Sequence, residues 1–225
     1  MTESKDEMAA CDMTLEELRP VLVDALLGHV PFDGWSAAAL DQAAADLGIP
    51  AERARLVFPG GPIDMVDAYT ARADARMAAR LAVLDLPSMK IRERIRTAVS
   101  VRLEQALPHR EAVRRAVSIL AMPQNAARSA RVLWRTADAM WRAAGDTATD
   151  YNYYTKRITL GGVYASTLLV WLDDESEGLA DTHDFLDRRI DGVMRFEKAK
   201  ARVTTLAANR PSLTRFLGRL RYPAF

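Results

Sequence analysis

The chain of 225 residues contains little of the chemistry that marks a secreted protein or an enzyme. Its single cysteine, Cys11, cannot form an internal disulfide, which predicts a reducing compartment. The three histidines, His29, His109 and His183, are too far apart for a metal-ligand motif. The sequence also has no glycine-rich phosphate loop and no serine elbow, so we expect no catalytic residue, no metal and no cofactor.

An excess of charge of one sign is also missing. Lys and Arg number 31 against 30 Asp and Glu, a net charge of +1 that favours no class of partner. Residues 1–12 hold four acids against one lysine and are expected to be disordered. They resemble neither a signal peptide nor an arginine-rich transit peptide, which predicts a bacterial-type cytoplasm.

What the sequence does contain is helical periodicity, with apolar residues at spacings of three and four and no strand-like alternation. Thr14 and Glu17 form a capping box that opens a first helix, expected to end at Gly28. These patterns predict an all-α fold with about nine to ten helices. The further helices are expected over 37–47, up to Phe58, over 62–86, from Ser88, over 108–121, over 126–144 and from 151.

Arginines recur along the helix that is expected to begin at Ser88. Each alternates with apolar residues, so the sequence predicts a solvated face whose aliphatic stems cover the core. The arginines concerned are Arg92, Arg94, Arg96 and Arg102.

Residues 13–61 carry a helix-turn-helix pattern, with a glycine turn at Gly48 and a closing Phe58-Pro59. The segment resembles the N-terminal domain of tetracycline-repressor-like regulators, which makes a ligand-responsive transcriptional regulator an alternative function. Residues 13–58, however, hold seven acids against three bases, and DNA binding requires several phosphates to be neutralised. We expect a regulator's scaffold without its DNA contacts, and no nucleic-acid partner.

The most apolar stretch runs from Ile158 to Leu172 without a charge. It is shorter than the roughly 18 to 20 residues of a membrane span. Because it is apolar on all sides, we expect the central buried helix of the core. Gly161 and Gly162 each cost about 1 kcal/mol of helix propensity relative to Ala, so either a close helix contact or room for a ligand must offset them.

A polar and aromatic segment, Tyr151 to Arg157, precedes this apolar stretch. It follows a linker in which Thr149 or Asp150 is expected to cap the helix. Tyrosine and arginine are enriched at interfaces, so three tyrosines beside Arg157 suggest a recognition surface. The alternative is that Tyr154 belongs to the core and the other tyrosines are ordinary surface residues.

The run AGDTATDYNYYTKR, preceded by Trp141 and followed by VYASTLLVWLDD, resembles the ubiquinone-biosynthesis lipid-binding family, the ninth protein of the Coq series. The resemblance covers residues 91–199 well and the N-terminal third loosely. It implies that a core over 62–203 holds an isoprenoid quinone intermediate. It also implies that the protein, as a homodimer, presents this lipid to the demethoxyubiquinone hydroxylase at the membrane.

The resemblance also implies two sets of site residues. In the partner-binding set, which is given last, Tyr153 stands where the family often has Trp. The lipid-binding set, between the helices over 126–144, 151–173 and 181–200, is Leu133, Ala137, Trp141, Ile158, Gly161, Gly162, Ala165, Leu168, Leu169 and Leu172. The partner-binding set is Met140, Asp150, Tyr153, Tyr154 and Arg157.

The C-terminal segment is basic, with seven bases and no acid from Lys198 onward. Residues 204–225 predict a linker and a basic amphipathic helix that binds an anionic membrane, on the inner face of a bacterial membrane. A lid over the core, a helix for a partner groove, and a structural membrane-interaction protein without a ligand remain alternatives. The predicted membrane-binding residues are Leu213, Arg215, Phe216, Leu217, Arg219 and Leu220.

Overall fold

The computed structural model describes residues 13–146 and 151–208 of the chain. Over these residues the structure is all-α, with nine α-helices and no strand, which confirms the predicted fold class. Short 3₁₀ turns lie at Leu86–Ser88, Leu107–His109, Pro123–Asn125 and Glu177–Leu179. The α-helices are α1 (Leu15–Asp33), α2 (Ala37–Asp46), α3 (Ala51–Val57), α4 (Pro62–Ala82), α5 (Ile91–Glu104), α6 (Arg110–Leu120), α7 (Ala126–Ala143), α8 (Tyr151–Asp173) and α9 (Ala180–Ala208).

The chain divides into two compact units, Met1–Leu186 and Asp187–Phe225. The first unit contains α1 to α8 and the beginning of α9. In the described part of the second unit, the chain continues as the helix α9. All the geometry of the candidate site lies in the first unit.

The first helix begins where the sequence predicts and ends later. Thr14 and Glu17 form the capping box, in which the Thr14 N–H donates to Glu17 Oε2 at 2.7 Å. The predicted end at Gly28 is wrong, because Leu27 and Val30 on either side are buried and their packing outweighs the low helix propensity of glycine. The helix ends instead before Gly34, which has a φ of +69° and donates its N–H to the Val30 carbonyl.

The helix α4, in contrast, ends earlier than predicted, at Ala82 rather than near Leu86. Pro87 disfavours a helical conformation at the residue before it, and Leu86 is instead buried within a 3₁₀ turn. The next helix begins at Ile91 rather than Ser88, with Glu93 accepting from the Lys90 N–H at 3.0 Å.

The helix α8 is not buried on all sides, which corrects the expectation for its apolar stretch. Leu160, Val163 and Trp171 are buried. On the other side Ile158 is 67% exposed and Leu169 is 56% exposed. The apolar run could not show that neighbouring helices cover one face of α8 only. In the part of the chain that the structure describes, no helix has the length and apolarity needed to cross a membrane.

Candidate functional site: a cavity and a helix corner

A cavity of about 350 Å³ lies among the helices α4 to α8. Most of its wall is aliphatic, contributed by helices that the sequence separates widely. Its lining residues are Tyr69, Thr70, Arg102, Ala106, Val113, Ala116, Val117, Leu120, Ala121, Ser129, Val132, Leu133, Thr136, Tyr164, Ala165, Leu168 and Leu169.

The two ends of this cavity differ in polarity and in burial. Arg102 is only 4% exposed, and Thr136, Tyr69 and Tyr164 are also buried. We call these four residues the polar floor. Apolar residues line the other end, where Ala121 is exposed, Leu169 is more than half exposed and Leu133 and Leu168 are half-buried. The cavity therefore runs from a buried polar floor to an apolar outer end.

The polar floor is organised around one buried carboxylate, Asp74 of α4. Arg102 Nε donates to Asp74 Oδ1 at 3.3 Å. The Thr136 hydroxyl lies 3.1 Å from Oδ1 and 3.0 Å from Oδ2, and Arg135 Nε lies 3.6 Å from Oδ2. Asp74 thus accepts from Arg102 and Thr136, whereas the nearby Arg135 pairs with Asp67 at 2.6 Å. The expectation that Arg102 belongs to a solvated face is wrong, because Asp74 provides a buried counter-charge that the periodicity of one helix cannot show.

Burial shifts the ionisation of this cluster. It raises the pKa of Asp74, while Arg102 and Thr136 oppose that rise. Burial likewise raises the pKa values of Tyr164 and Tyr69, with Arg102 again opposing. For Arg102 burial acts against the charge, yet Tyr164 and Asp74 raise its pKa overall. Around neutral pH the floor therefore offers a charged guanidinium and two protonated phenols to the cavity.

The second feature is the helix corner where α7 ends and α8 begins. Arg157 is 2% exposed there, and its Nε donates to Asp138 at 2.6 Å while Nη1 donates to Asp146 at 3.1 Å. Its guanidinium carbon lies 3.5 Å from the ring centroid of Tyr153, a cation–π contact. Lys156 Nζ also donates to Asp146 at 2.6 Å. The corner is held by a buried arginine shared between two carboxylates.

Three aromatic rings cover this corner. Trp134 of α7 lies 6.0 Å from Tyr153 and 5.9 Å from Tyr154, measured between ring centroids, and the two tyrosines are 5.2 Å apart. Tyr154 is 57% exposed, whereas Tyr153 is half-buried and donates its hydroxyl to Asp138 at 3.3 Å. Trp134 was not predicted as a site residue, because nothing in the pattern of its own helix shows which face meets the tyrosines.

Four of the ten predicted lipid-binding residues line the cavity: Leu133, Ala165, Leu168 and Leu169. Ala137 and Leu172 are buried away from it. Trp141 lies at the helix corner, where its indole N–H donates to the Lys156 carbonyl at 3.0 Å. Ile158 is exposed on the outer face of α8.

The paired glycines of α8 lie in different surroundings. A Cβ on Gly161 would lie 3.4 Å from Leu133 Cγ, so Gly161 marks a close contact between α8 and α7. A Cβ on Gly162, which is exposed, would meet nothing within 4 Å. Of the two explanations that the sequence left open, close helix packing accounts for Gly161 and neither accounts for Gly162.

The predicted partner-binding residues differ in accessibility. Met140 and Arg157 are buried, so neither presents a surface to a partner in this structure. Tyr154 is the exposed member, and Tyr153 is partly accessible. Asp150 lies outside the described residues, as do all six predicted membrane-binding residues, Leu213 to Leu220.

The arrangement of the helices defines a class, the tetracycline-repressor-like fold. A solved structure of a TetR transcriptional regulator from Nitrosomonas europaea is similar to this chain with a TM-score of 0.63. The likeness covers 77% of this chain and 96% of that chain at 24% identity, so it shows the fold alone. It confirms the predicted topology.

A more particular identification comes from sequence relatives. The COQ9 family model matches residues 126–197, which include the helix corner and one wall of the cavity. The mitochondrial ubiquinone biosynthesis protein COQ9 of Rattus norvegicus is 35% identical over 80% of this chain and 59% of its own length. That of Homo sapiens is 32% identical over 80% of this chain and 58% of its own length.

The chain belongs to the COQ9 family, as the resemblance in its sequence indicated. It spans about three fifths of the length of these relatives.

Proposed function

We propose that this protein is a lipid-binding accessory protein of ubiquinone biosynthesis, without catalytic activity of its own. Its cavity holds an isoprenoid quinone intermediate, and its helix corner binds the demethoxyubiquinone hydroxylase that receives the intermediate. The observation that carries the proposal is the largely apolar cavity, whose wall of α7 and α8 lies within the segment that matches the COQ9 family.

The size of the cavity limits how such a ligand fits. About 350 Å³ is near the lower end of the roughly 300–1,000 Å³ of small-molecule sites. It holds a quinone ring and the first part of a tail rather than a long isoprenoid chain. The remainder of the tail must leave by the apolar outer end, where Leu169 is already exposed. Exposed apolar surface of this kind favours contact with lipid or with a partner protein.

The helix corner is suited to a protein partner. Tyr154 offers an exposed aromatic ring, and aromatic residues in such positions often anchor interfaces. Arg157 holds Tyr153 and the two carboxylates beneath it, so we assign Arg157 a positioning role rather than direct contact. This assignment keeps the predicted partner-binding surface and changes the role of its buried members.

The helix-turn-helix segment supports the absence of a nucleic-acid partner. Arg55 pairs with Asp41, its Nε lying 3.0 Å from Oδ1. Arg19 lies 5.2 Å from the ring centroid of Phe58 and donates to the Val57 carbonyl at 3.1 Å. These two bases stabilise the segment itself, while DNA binding relies on free cations at the phosphates. A regulator of transcription would require operator binding, which an assay at moderate salt measures directly.

Lipid extraction tests the proposal for the cavity. The full chain is purified, and any lipid extracted from it is identified by mass spectrometry. Replacing Ala165, which lines the cavity, by Leu should fill the space and lower the bound lipid. Ala130→Leu, on the exposed part of α7, is the matched control and should leave the amount of bound lipid unchanged. Wild-type protein without lipid, or equal lipid in both variants, would contradict the proposal.

We also propose that residues 204–225 bind an anionic membrane reversibly on the inner face of a bacterial membrane, and that the protein acts there as a homodimer. Burial of four apolar side chains contributes roughly 6 to 12 kcal/mol as an upper bound. Ordering the backbone opposes this by about 1 to 2 kcal/mol per residue. Binding should therefore be weak and sensitive to salt.

Truncation after Arg210 should abolish sedimentation with anionic liposomes and leave the helical core with its lipid. Equal sedimentation of the truncated and full-length protein would favour a lid or a partner helix instead. Analytical ultracentrifugation of the full chain tests the dimer, and a single species of monomer mass would contradict it.

A further inference from the structure

We infer that the polar floor recognises an oxygen-bearing head group, so that the ligand binds with its head innermost and its tail toward Leu168 and Leu169. The inference rests on the proposed function, because it requires a lipid in the cavity. It adds the orientation of that lipid and the residues that select its head. No residue of the predicted lipid-binding set has a side chain that donates a hydrogen bond at the polar floor.

Hydrogen-bond donors outnumber free acceptors at the polar floor. Asp74 is the carboxylate there, and Arg102, Thr136 and Arg135 already surround its oxygens at 3.0 to 3.6 Å. What faces the cavity are donors: the guanidinium of Arg102 and the phenols of Tyr69 and Tyr164. A floor rich in donors complements carbonyl, phenolate or methoxy oxygens.

The charge at the polar floor also selects the head group. Among the described residues that line the cavity, Arg102 alone is charged, and its carboxylate partner Asp74 does not line the cavity. Arg135 lies 3.6 Å from Asp74 but pairs at 2.6 Å with Asp67, so its charge is matched elsewhere. Such a site disfavours an ammonium head group and accepts a neutral or anionic one. Quinone carbonyls and their phenolic precursors satisfy both conditions.

Burial along the cavity favours one orientation of the ligand. The donors lie at the buried end, where an unpaired polar group is most costly, and the apolar residues lie at the outer end. A ligand that enters tail first would place hydrocarbon against the guanidinium and leave its own oxygens near Leu169. A ligand that enters head first matches polar groups with polar groups at one end and apolar with apolar at the other.

Removal of single phenol hydroxyls tests the inference most directly. Arg102 is unsuited to this test, because its loss leaves Asp74 buried without its partner. The variants are Tyr164→Phe and Tyr69→Phe, which keep the rings in place. Thr167→Val is the matched control, because it removes a buried hydroxyl from the same helix α8 at a position that does not line the cavity.

Two probe ligands of equal tail length distinguish the contribution of the head group to binding from that of the tail. One is a benzoquinone carrying two isoprene units, and the other is a hydrocarbon of the same two units. Titration calorimetry should show that Tyr164→Phe weakens quinone binding about threefold to tenfold, the loss expected for one hydrogen bond, and leaves hydrocarbon binding unchanged. Tyr69→Phe should act in the same direction, and Thr167→Val should change neither affinity.

The infrared spectrum of the bound quinone is a second measurement. Its carbonyl band would not change if the tyrosines had only a structural role. Hydrogen bonds from the floor should lower the carbonyl stretching frequency relative to quinone in hydrocarbon solvent. In Tyr164→Phe the frequency should rise toward the value in solvent. A carbonyl band already at the solvent value in the wild-type complex would overturn the inference.

The calorimetric outcomes distinguish the inference from the proposed function. If neither probe binds the wild-type protein, the proposed function fails and the inference fails with it. If both probes bind and the two phenylalanine variants change neither affinity, or weaken both probes alike, the inference is overturned while lipid binding stands. Selective loss of quinone affinity supports both.

Discussion

Two buried arginines, Arg157 at the helix corner and Arg102 at the polar floor, are held in different ways. Arg157 lies between two carboxylates, Asp138 and Asp146, which also bind Arg142 and Lys156, so its guanidinium is enclosed by partners from the chain itself. Arg102 has one carboxylate, Asp74, which also accepts from Thr136, while the nearby Arg135 pairs with Asp67 at 2.6 Å. The corner is thus closed to further ligands, whereas the floor keeps donors that face a cavity.

The difference indicates separate roles for two clusters of similar composition. A charged group enclosed by its own partners fixes geometry, and at the corner it fixes the tyrosines above it. A charged group with donors left over, at the end of a cavity, can bind something that is not part of the chain. Substitutions at the floor and at the corner test this comparison, and substitutions of the paired glycines of α8 have the smallest expected effect.

Asp74→Ala should have the largest effect, because it leaves Arg102 buried without its carboxylate. Removing one partner of a buried ion pair typically costs about 3 to 5 kcal/mol of unfolding free energy. Urea denaturation measures the loss. Asp173→Asn is the control, since the exposed pair of Asp173 with Arg114 should contribute less than about 1 kcal/mol. Similar losses in both variants would show that the floor is not a buried ionic cluster in solution.

Tyr154→Ala should weaken hydroxylase binding by about 2 kcal/mol or more, the typical cost of truncating an interface anchor. Because Tyr154 is more than half exposed, the unfolding midpoint and the lipid content should remain near wild type. Surface plasmon resonance with immobilised hydroxylase measures the affinity. Leu56→Ala, an exposed apolar residue of α3, controls for general loss of apolar surface. Normal hydroxylase binding by the Tyr154 variant would remove the corner from the interface.

Arg157→Gln should destabilise the protein by about 1 to 3 kcal/mol, less than Asp74→Ala. The reason is that each carboxylate keeps another cation: Arg142 Nε lies 2.7 Å from Asp138, and Lys156 Nζ lies 2.6 Å from Asp146. Hydroxylase affinity should fall as well, since Tyr153 loses its support. A variant with full stability and reduced hydroxylase affinity would instead make Arg157 a direct contact, as the sequence resemblance implies.

Gly161→Leu should destabilise by about 1 to 3 kcal/mol, because a larger side chain must displace Leu133. Gly162→Leu faces open space and should be neutral, or stabilising by up to about 1 kcal/mol through helix propensity. Thermal unfolding of the two variants side by side measures the difference. If Gly162→Leu also loses stability or lipid, an unrecognised contact covers the outer face of α8.

Local signals predicted the helices well and their ends less well. The capping box at Thr14 involves groups three residues apart, and the structure confirms it. The predicted helix end at Gly28 was wrong, because a helix continues through a glycine when residues such as Val30 are packed on both sides. The true end at Gly34 depends on a backbone conformation that glycine adopts readily, and several glycines in the chain were equally good candidates.

The site was harder to predict than the fold. Family resemblance supplied the helix corner, although it could not show that Met140 and Arg157 are buried. It supplied part of the apolar wall, including Leu133 and Leu168. The polar floor was not predicted, because the periodicity of a single helix does not show which residues meet between helices. A polar residue such as Asp74 within an apolar stripe is the one signal that pointed to a buried cluster.

The sequence by itself determined the all-α class, the capping box and membership in the COQ9 family, since helix periodicity, caps and long motifs are local along the chain. Tertiary structure decided which face of α8 is covered and which arginines are buried. Asp74, Arg102 and Thr136 meet across 28 and 62 residues of sequence. Their contact depends on how three helices pack, because the counter-charge that permits burial comes from another helix.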